Sequence, residues 1–178
     1  EQMIRLSEEA GVPVHLATIP REATKDLAIL VKDTETLIPV VHGWRHKNHQ
    51  PAGESRCEFG DVRPMEKRRE EAEEGLRRLR VLMGDQVVPM FVPPWNRVPE
   101  SFVQELPDLG YRALSTCHPR KAEEAALGLQ QINTHIDPLY WAPAKQMSKP
   151  CPLYTSGAAH PKKGREHRGR PGPPQPKK

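Results

Sequence analysis

Apolar residues along the chain fall into two alternating spacings. Short apolar stretches at 12–19, 37–41, 87–92 and 111–116 read as strands. In the second of these, Leu37, Ile38, Val40 and Val41 form the near-continuous apolar run of a strand buried in a parallel sheet. Between the strands, apolar positions recur at helical intervals. Residues 3–10 resemble the end of a helix stopped by Gly11. Pro20 opens a second helix with Ala23, Leu27, Leu30 and Val31 on one face. Pro64 opens a third, long and charged, with Met65, Ala72, Leu76, Leu79 and Met83 aligned and Gly84 beyond its end. A short helix is predicted over 99–109, ended by Gly110, and the tip of a last strand over 131–138. The segment 118–129 fits either a loop or a helix. Strands alternating with helices at these intervals predict βαβ units and a parallel sheet or barrel.

Two stretches break the rhythm. Residues 50–63 form a polar loop too long for a plain connector, a length that in compact domains often serves function. From Ala142 onward, eight prolines and several glycines erase all apolar periodicity, so this segment is expected to be a disordered tail following a folded domain at 1–141. Charge divides at the same place. Nine lysines and arginines in the tail face one carboxylate, Glu166, which puts +8 in the tail and leaves −4 for the body within the formal +4 of the chain. A mildly acidic body argues against a nucleic-acid-binding core. The tail by itself suits attraction to nucleic acid or anionic membrane, or is a nonfunctional extension from an altered reading frame, the reading favoured here. Cys57, Cys117 and Cys151 form no Cys-x-x-Cys pair, so neither a disulfide framework nor a cysteine zinc site is indicated. No stretch has the length of a membrane span or the form of a signal peptide, and Glu1 falls inside a helical pattern, as though the N-terminus were missing. Oligomeric state is left open.

The candidate chemistry follows the second strand, in His42-Gly43-Trp44-Arg45-His46, with His49 three residues on. Groups at the carboxyl end of a strand line the functional crevice of α/β proteins. If the chain turns helically there, the four-residue spacing sets both imidazoles on one face, within reach of one metal ion; the same spacing also suits two separate surface histidines. Trp44 would supply an apolar wall. His49 is either a third ligand or, as favoured here, a residue that hydrogen-bonds within the loop. After the next strand, Pro93 and Pro94 stiffen the exit and hold Trp95 in place, for sugar-ring stacking or for core packing. His15 fits a core or rim position. A further histidine, His135, lies on the last strand tip, and Asp137 beside it either orients that imidazole or shapes the turn before Pro138.

Three pieces in fixed order, HGWRH at 42–46, VPPWNR at 92–97 and NTHID at 133–137, resemble the polysaccharide deacetylase family, the metal-dependent carbohydrate esterases with a NodB-homology domain. The resemblance spans about 11–141. It implies a distorted, incomplete (β/α) barrel with its site at the carboxyl ends of the strands, here lacking the first strand. It also implies His42 and His46 as metal ligands, Pro94 and Trp95 as groove wall, and His135 as general acid. Zinc is the expected ion, with cobalt or nickel as alternatives, since imidazole suits all three. The partner implied is an acetylated carbohydrate, from which N- or O-linked acetyl groups would be hydrolysed; a membrane span and a specific nucleic acid are not expected. Two departures stand out: the family's aspartate pair, which supplies the base and one ligand, has no counterpart, and Val92 replaces a groove arginine whose place falls to Arg97. Little or no turnover is therefore expected of this chain. The alternative is a noncatalytic carbohydrate-binding protein that keeps only the groove.

Overall fold

The structure, a computed structural model, describes residues 2–117 and 119–134, together with the backbone of 139–140 and 146–147. Two compact units divide the chain, Glu1–Ile136 and Asp137–Lys178.

In the first unit, α1 (Gln2–Ala10) leads into β1 (Val14–Thr18), then α2 (Lys25–Lys32), β2 (Leu37–Val41), α3 (Met65–Met83), β3 (Met90–Phe91), α4 (Glu100–Val103), β4 (Ala113–Leu114), β5 (Glu124–Ala126) and β6 (Leu129–Gln131). The six strands form one sheet in the order β1-β2-β3-β4-β6-β5. β1 to β4 run parallel as successive neighbours, β6 joins β4 in parallel, and β5 pairs antiparallel with β6. The sheet is mostly parallel and open among the described residues, an α/β architecture in which closure into a barrel is not seen.

The two-residue period of the strands sends neighbouring side chains to opposite faces. Val41, Phe91 and Leu114 enter a large core with Val31 of α2, Ala72, Leu76 and Leu79 of α3, and Phe102 and Val103 of α4. Val40, Met90 and Ala113 form a smaller cluster of their own. Phe91 sits at the aromatic centre of the large core, edge-on to Phe59 and to Tyr111, each with centroids 5.2 Å apart.

Several elements differ from what local pattern predicts. Pro20 opens a short 3-10 turn (Pro20–Glu22), and α2 begins only at Lys25, where the Thr24 hydroxyl accepts the Leu27 N–H at 3.2 Å and caps the helix. β3 is confined to two residues because Pro89 and Pro93 bracket it without ladder donors. α4 stops at Val103 rather than 109; Pro107 disfavours helix in the residues before it. The segment 118–129, expected as loop or helix, carries β5 and most of the β5–β6 hairpin, with Gly128 at φ 76 in the turn. Glu123, Glu124, Ala125 and Ala126 favour helix locally, and pairing at the sheet edge overrides that preference.

In the second unit, β7 (Leu139–Tyr140) pairs antiparallel with β8 (Gln146–Met147), Leu139 opposite Met147. The rest of the tail expected at 142–178 lies outside the described residues. Among the described residues no helix is long and apolar enough to cross a membrane.

Candidate metal and carbohydrate site

The ladder between β1 and β2 extends one residue beyond β2, with the His42 N–H donating to the Thr18 carbonyl at 2.9 Å. The chain then leaves the sheet through Gly43 at φ 61. Residues 42–50 are not helical, so the turn on which the His42–His46 spacing was to depend does not form. The imidazoles nevertheless meet: their centroids lie 5.0 Å apart with ring planes at 47°. His46 reaches this place through a left-handed backbone, φ 54. It also packs on the Trp95 indole, centroid to centroid 4.3 Å. Trp95 and Asn96 are left-handed too, at φ 57 and 56. These three are the non-glycine residues with positive φ among the described residues, and all belong to this cluster. Each such backbone costs about 1–3 kcal/mol and persists only where surrounding contacts over-determine it.

His42 is held from the neighbouring strand. Its Nδ1 lies 2.8 Å from the Val92 carbonyl oxygen. A carbonyl only accepts, so Nδ1 carries the proton and Nε2 keeps its lone pair. Burial lowers the His42 pKa, helped by the nearby His46 and opposed by the Val92 bond and by Glu58. Burial and His46 thus favour the neutral imidazole, while the Val92 bond fixes its orientation through Nδ1. The two imidazoles thus lie side by side. Among the described residues no group of three His, Cys, Asp or Glu side chains converges as a metal site.

The turn between the histidines rests on a residue that the sequence pattern did not single out. Glu58, with 0 % of its surface exposed, lies beneath the 44–47 backbone. Its Oε2 accepts the Trp44 N–H at 3.1 Å, and its Oε1 accepts the Arg45 and Lys47 N–H groups at 2.9 and 3.3 Å. Gly43 is required there for close approach: a Cβ on it would stand 2.1 Å from Glu58 Oε2 and 2.7 Å from Pro94 Cγ. Phe59 fixes Glu58 to the core, stacking on Phe102 with centroids 5.0 Å apart. The one legible signal was Phe59 itself, an isolated large apolar side chain in an otherwise polar loop.

The long charged helix, expected to present a solvated face, also turns charge inward. Arg68 is 4 % exposed and donates to the Phe59 carbonyl and to Asp61. Glu71 pairs with Arg63 at 2.8 Å and with Arg45 at 3.9 Å. α3 thereby braces the 50–63 loop from beneath.

The remaining site candidates are distributed as follows. Trp44 is buried and packs in the core on the helix side of the sheet. Pro94 is buried against Gly43. Trp95 is half-buried and Arg97 exposed, its guanidinium donating to the Arg56 carbonyl at 3.4 Å. A cleft of about 530 Å³ runs between the 50–63 loop and the residues after Trp95, lined by Gln50, Cys57, Asp61, Asn96, Arg97 and Val98 among others. The His49 backbone N–H donates to the Cys57 carbonyl at 3.2 Å, while its side-chain Nε2 is buried without a hydrogen-bond partner among the described residues. Burial and the Arg63 guanidinium lower the His49 pKa. His135 and Asp137 lie outside the described residues. The strand leading to them is tied down: Asn133 Oδ1 accepts from the Thr116 N–H and hydroxyl at 3.1 Å, and Thr134 bridges Cys117 in parallel.

No family model and no curated protein matches the sequence. Among solved structures, a chain from Mycobacterium smegmatis described as a "putative polysaccharide deacetylase" superposes with a TM-score of 0.57 at 13% identity, covering 75% of this chain and 44% of that one. At this identity the likeness is one of fold: the chain shares the α/β fold of that neighbour and spans less than half its length.

Proposed function

We propose that this chain carries the histidine part of a metal-dependent carbohydrate deacetylase site, in which His42 and His46 hold a divalent ion, zinc by preference. The observation that carries this reading is the His42 ring, oriented by the Val92 carbonyl with its other nitrogen unbonded among the described residues, 5.0 Å from His46 at the carboxyl end of a parallel strand. The fold of the Mycobacterium smegmatis neighbour supports it. When bound, such an ion lowers the pKa of water and polarises an acetyl carbonyl. Trp95 offers a rigid face for a sugar ring beside the histidines. The cleft beyond it, with amide, carboxylate and guanidinium groups, suits the hydroxyls of a further sugar. His135 is assigned, by resemblance, the proton given to the departing amine.

With two ligands supplied by the described residues, the chain is expected to bind zinc more weakly than a three-ligand site and to turn over little substrate. Calorimetric titration of the chain with zinc tests the assignment. One-to-one binding that disappears in His42→Ala/His46→Ala is the expected result. Equal binding by the double variant, or none by the unaltered chain, would overturn it.

A further inference from the structure

A glutamate buried without an arginine, lysine or histidine partner is costly unless its oxygens are fully hydrogen-bonded. Among the described residues, Glu58 is such a residue. Arg63 donates to the Glu58 backbone carbonyl, and the side chains of Arg45 and Arg63 pair with Glu71, not with the Glu58 carboxylate. What Glu58 has is backbone: three N–H groups, from Trp44, Arg45 and Lys47, converge on its two oxygens. Successive backbone N–H groups of a turn that includes a left-handed residue form a concavity for an anion. Here the protein fills that concavity with its own side chain. The bonded residues bracket His46, whose left-handed φ of 54 needs outside support to persist.

The two histidines are therefore anchored by different groups. His42 is fixed from β3 by the Val92 carbonyl. His46 receives its position from the turn, and the turn from Glu58, which Phe59 ties to Phe91 and Phe102. We propose that Glu58 is the positioning residue of the His42–His46 pair: its carboxylate holds the turn that brings His46 to His42 and so sets the affinity for a divalent ion. The affinity clause rests on the reading of the pair as a metal site; the geometric clause does not.

The test uses the full 178-residue chain. Glu58→Gln keeps the shape of the side chain but turns an acceptor into an NH₂ group facing an N–H. Two readouts are followed, zinc affinity and the proton NMR shifts of the histidine rings. In the unaltered chain the Trp95 ring current displaces the His46 resonances, the centroids being 4.3 Å apart. In Glu58→Gln the His46 displacement is expected to collapse while His42 keeps its shifts, and zinc affinity to fall about 10- to 100-fold, the usual effect of losing a group that orients a ligand. A variant that keeps the His46 shifts, or loses those of both histidines together in a folded chain, would overturn the geometric clause; unchanged affinity with a displaced His46 would overturn the other. If the unaltered chain binds no zinc, the metal reading and the affinity clause fail together, and the ring shifts still decide the geometry. Should Glu58→Gln not fold, hydrogen exchange on the unaltered chain decides between the outcomes. Trp44, Arg45 and Lys47 amides that open together and slowly support the proposal, and amides exchanging at free-peptide rates overturn it.

Discussion

Two loops meet at the His42–His46–Trp95 cluster, and they are stiffened by opposite means. The loop after β2 is held from outside. Glu58 bonds three of its N–H groups, Asn48 Oδ1 accepts the Gln50 and Cys57 N–H groups at 3.1 and 3.0 Å, and Glu71 of α3 grips Arg45 and Arg63. The loop after β3 is stiffened largely by its own covalent structure, Pro93, Pro94 and Pro99 limiting its torsions around a short 3-10 turn (Pro94–Asn96). It is tied across to the first loop by the Cys57 thiol and the Arg56 carbonyl at Arg97. The comparison shows two routes to an ordered site. One concentrates stability in a few long-range contacts and fails when any of them goes. The other spreads it over stiff residues, each of which matters little.

The sharpest way to break this contrast is to cut the first loop's anchor. Phe59→Ala removes a fully buried ring from between Phe91 and Phe102 and is expected to cost about 3–5 kcal/mol, read by urea unfolding. A loss under about 1 kcal/mol would mean that the loop does not depend on the core. Next comes Gly43→Ala, which places a methyl against the Glu58 carboxylate and Pro94 at a backbone φ of 61. About 1–3 kcal/mol should be lost, with His46 displaced from Trp95 in the ring-proton spectrum.

A control outside both loops sharpens the comparison through pH. Burial pushes the Tyr111 phenol far above its ordinary value, and its hydroxyl donates to the Ala72 carbonyl at 2.8 Å. The unfolded chain loses this proton near pH ~10 while the folded chain retains it. The native state therefore binds more protons above that pH, and stability, complete at neutral pH, falls as pH rises through and beyond about 10. Urea titrations between neutral and alkaline pH should show that decline, and Tyr111→Phe should flatten it at a cost of about 1 kcal/mol at neutral pH. An equal alkaline decline in the variant would remove Tyr111 as its source.

The smallest effect belongs to the second loop. Pro99→Ala, at a proline not fully buried, is expected to cost about 0.4–1 kcal/mol, chiefly by loosening the unfolded chain, and to leave the tryptophan fluorescence of the native state nearly unchanged. A loss as large as that of Gly43→Ala would show that the two loops are not stiffened differently after all.

Much of this arrangement is legible along the chain. The apolar run at 37–41 forms β2 as expected, and the aligned positions Ala72, Leu76, Leu79 and Met83 form the buried stripe of α3. The spacing of His42 and His46 points to their meeting, but for a reason that does not hold, since it implies a helical turn and a bent loop joins them instead. Trp95 is placed by its prolines, whose restriction is local and visible in sequence. Trp44, given a part in the substrate wall, packs in the large core cluster, and no period along the chain announces that contact.

What the sequence alone determined are the features governed by neighbours a few residues apart: the periods of strand and helix, the stiff proline corner, and histidines at a strand's carboxyl end. The tertiary structure decided the rest. Glu58 reaches backbone groups 11 to 14 residues away, and His42 a carbonyl 50 residues away. The β5–β6 hairpin overrode a helical composition because β4 offered an edge to pair with. Local patterns set torsional preferences worth fractions of a kcal/mol per residue. Which carboxylate fills which concavity depends on contacts that exist only after the sheet and its helices have packed, and no period along the chain encodes them.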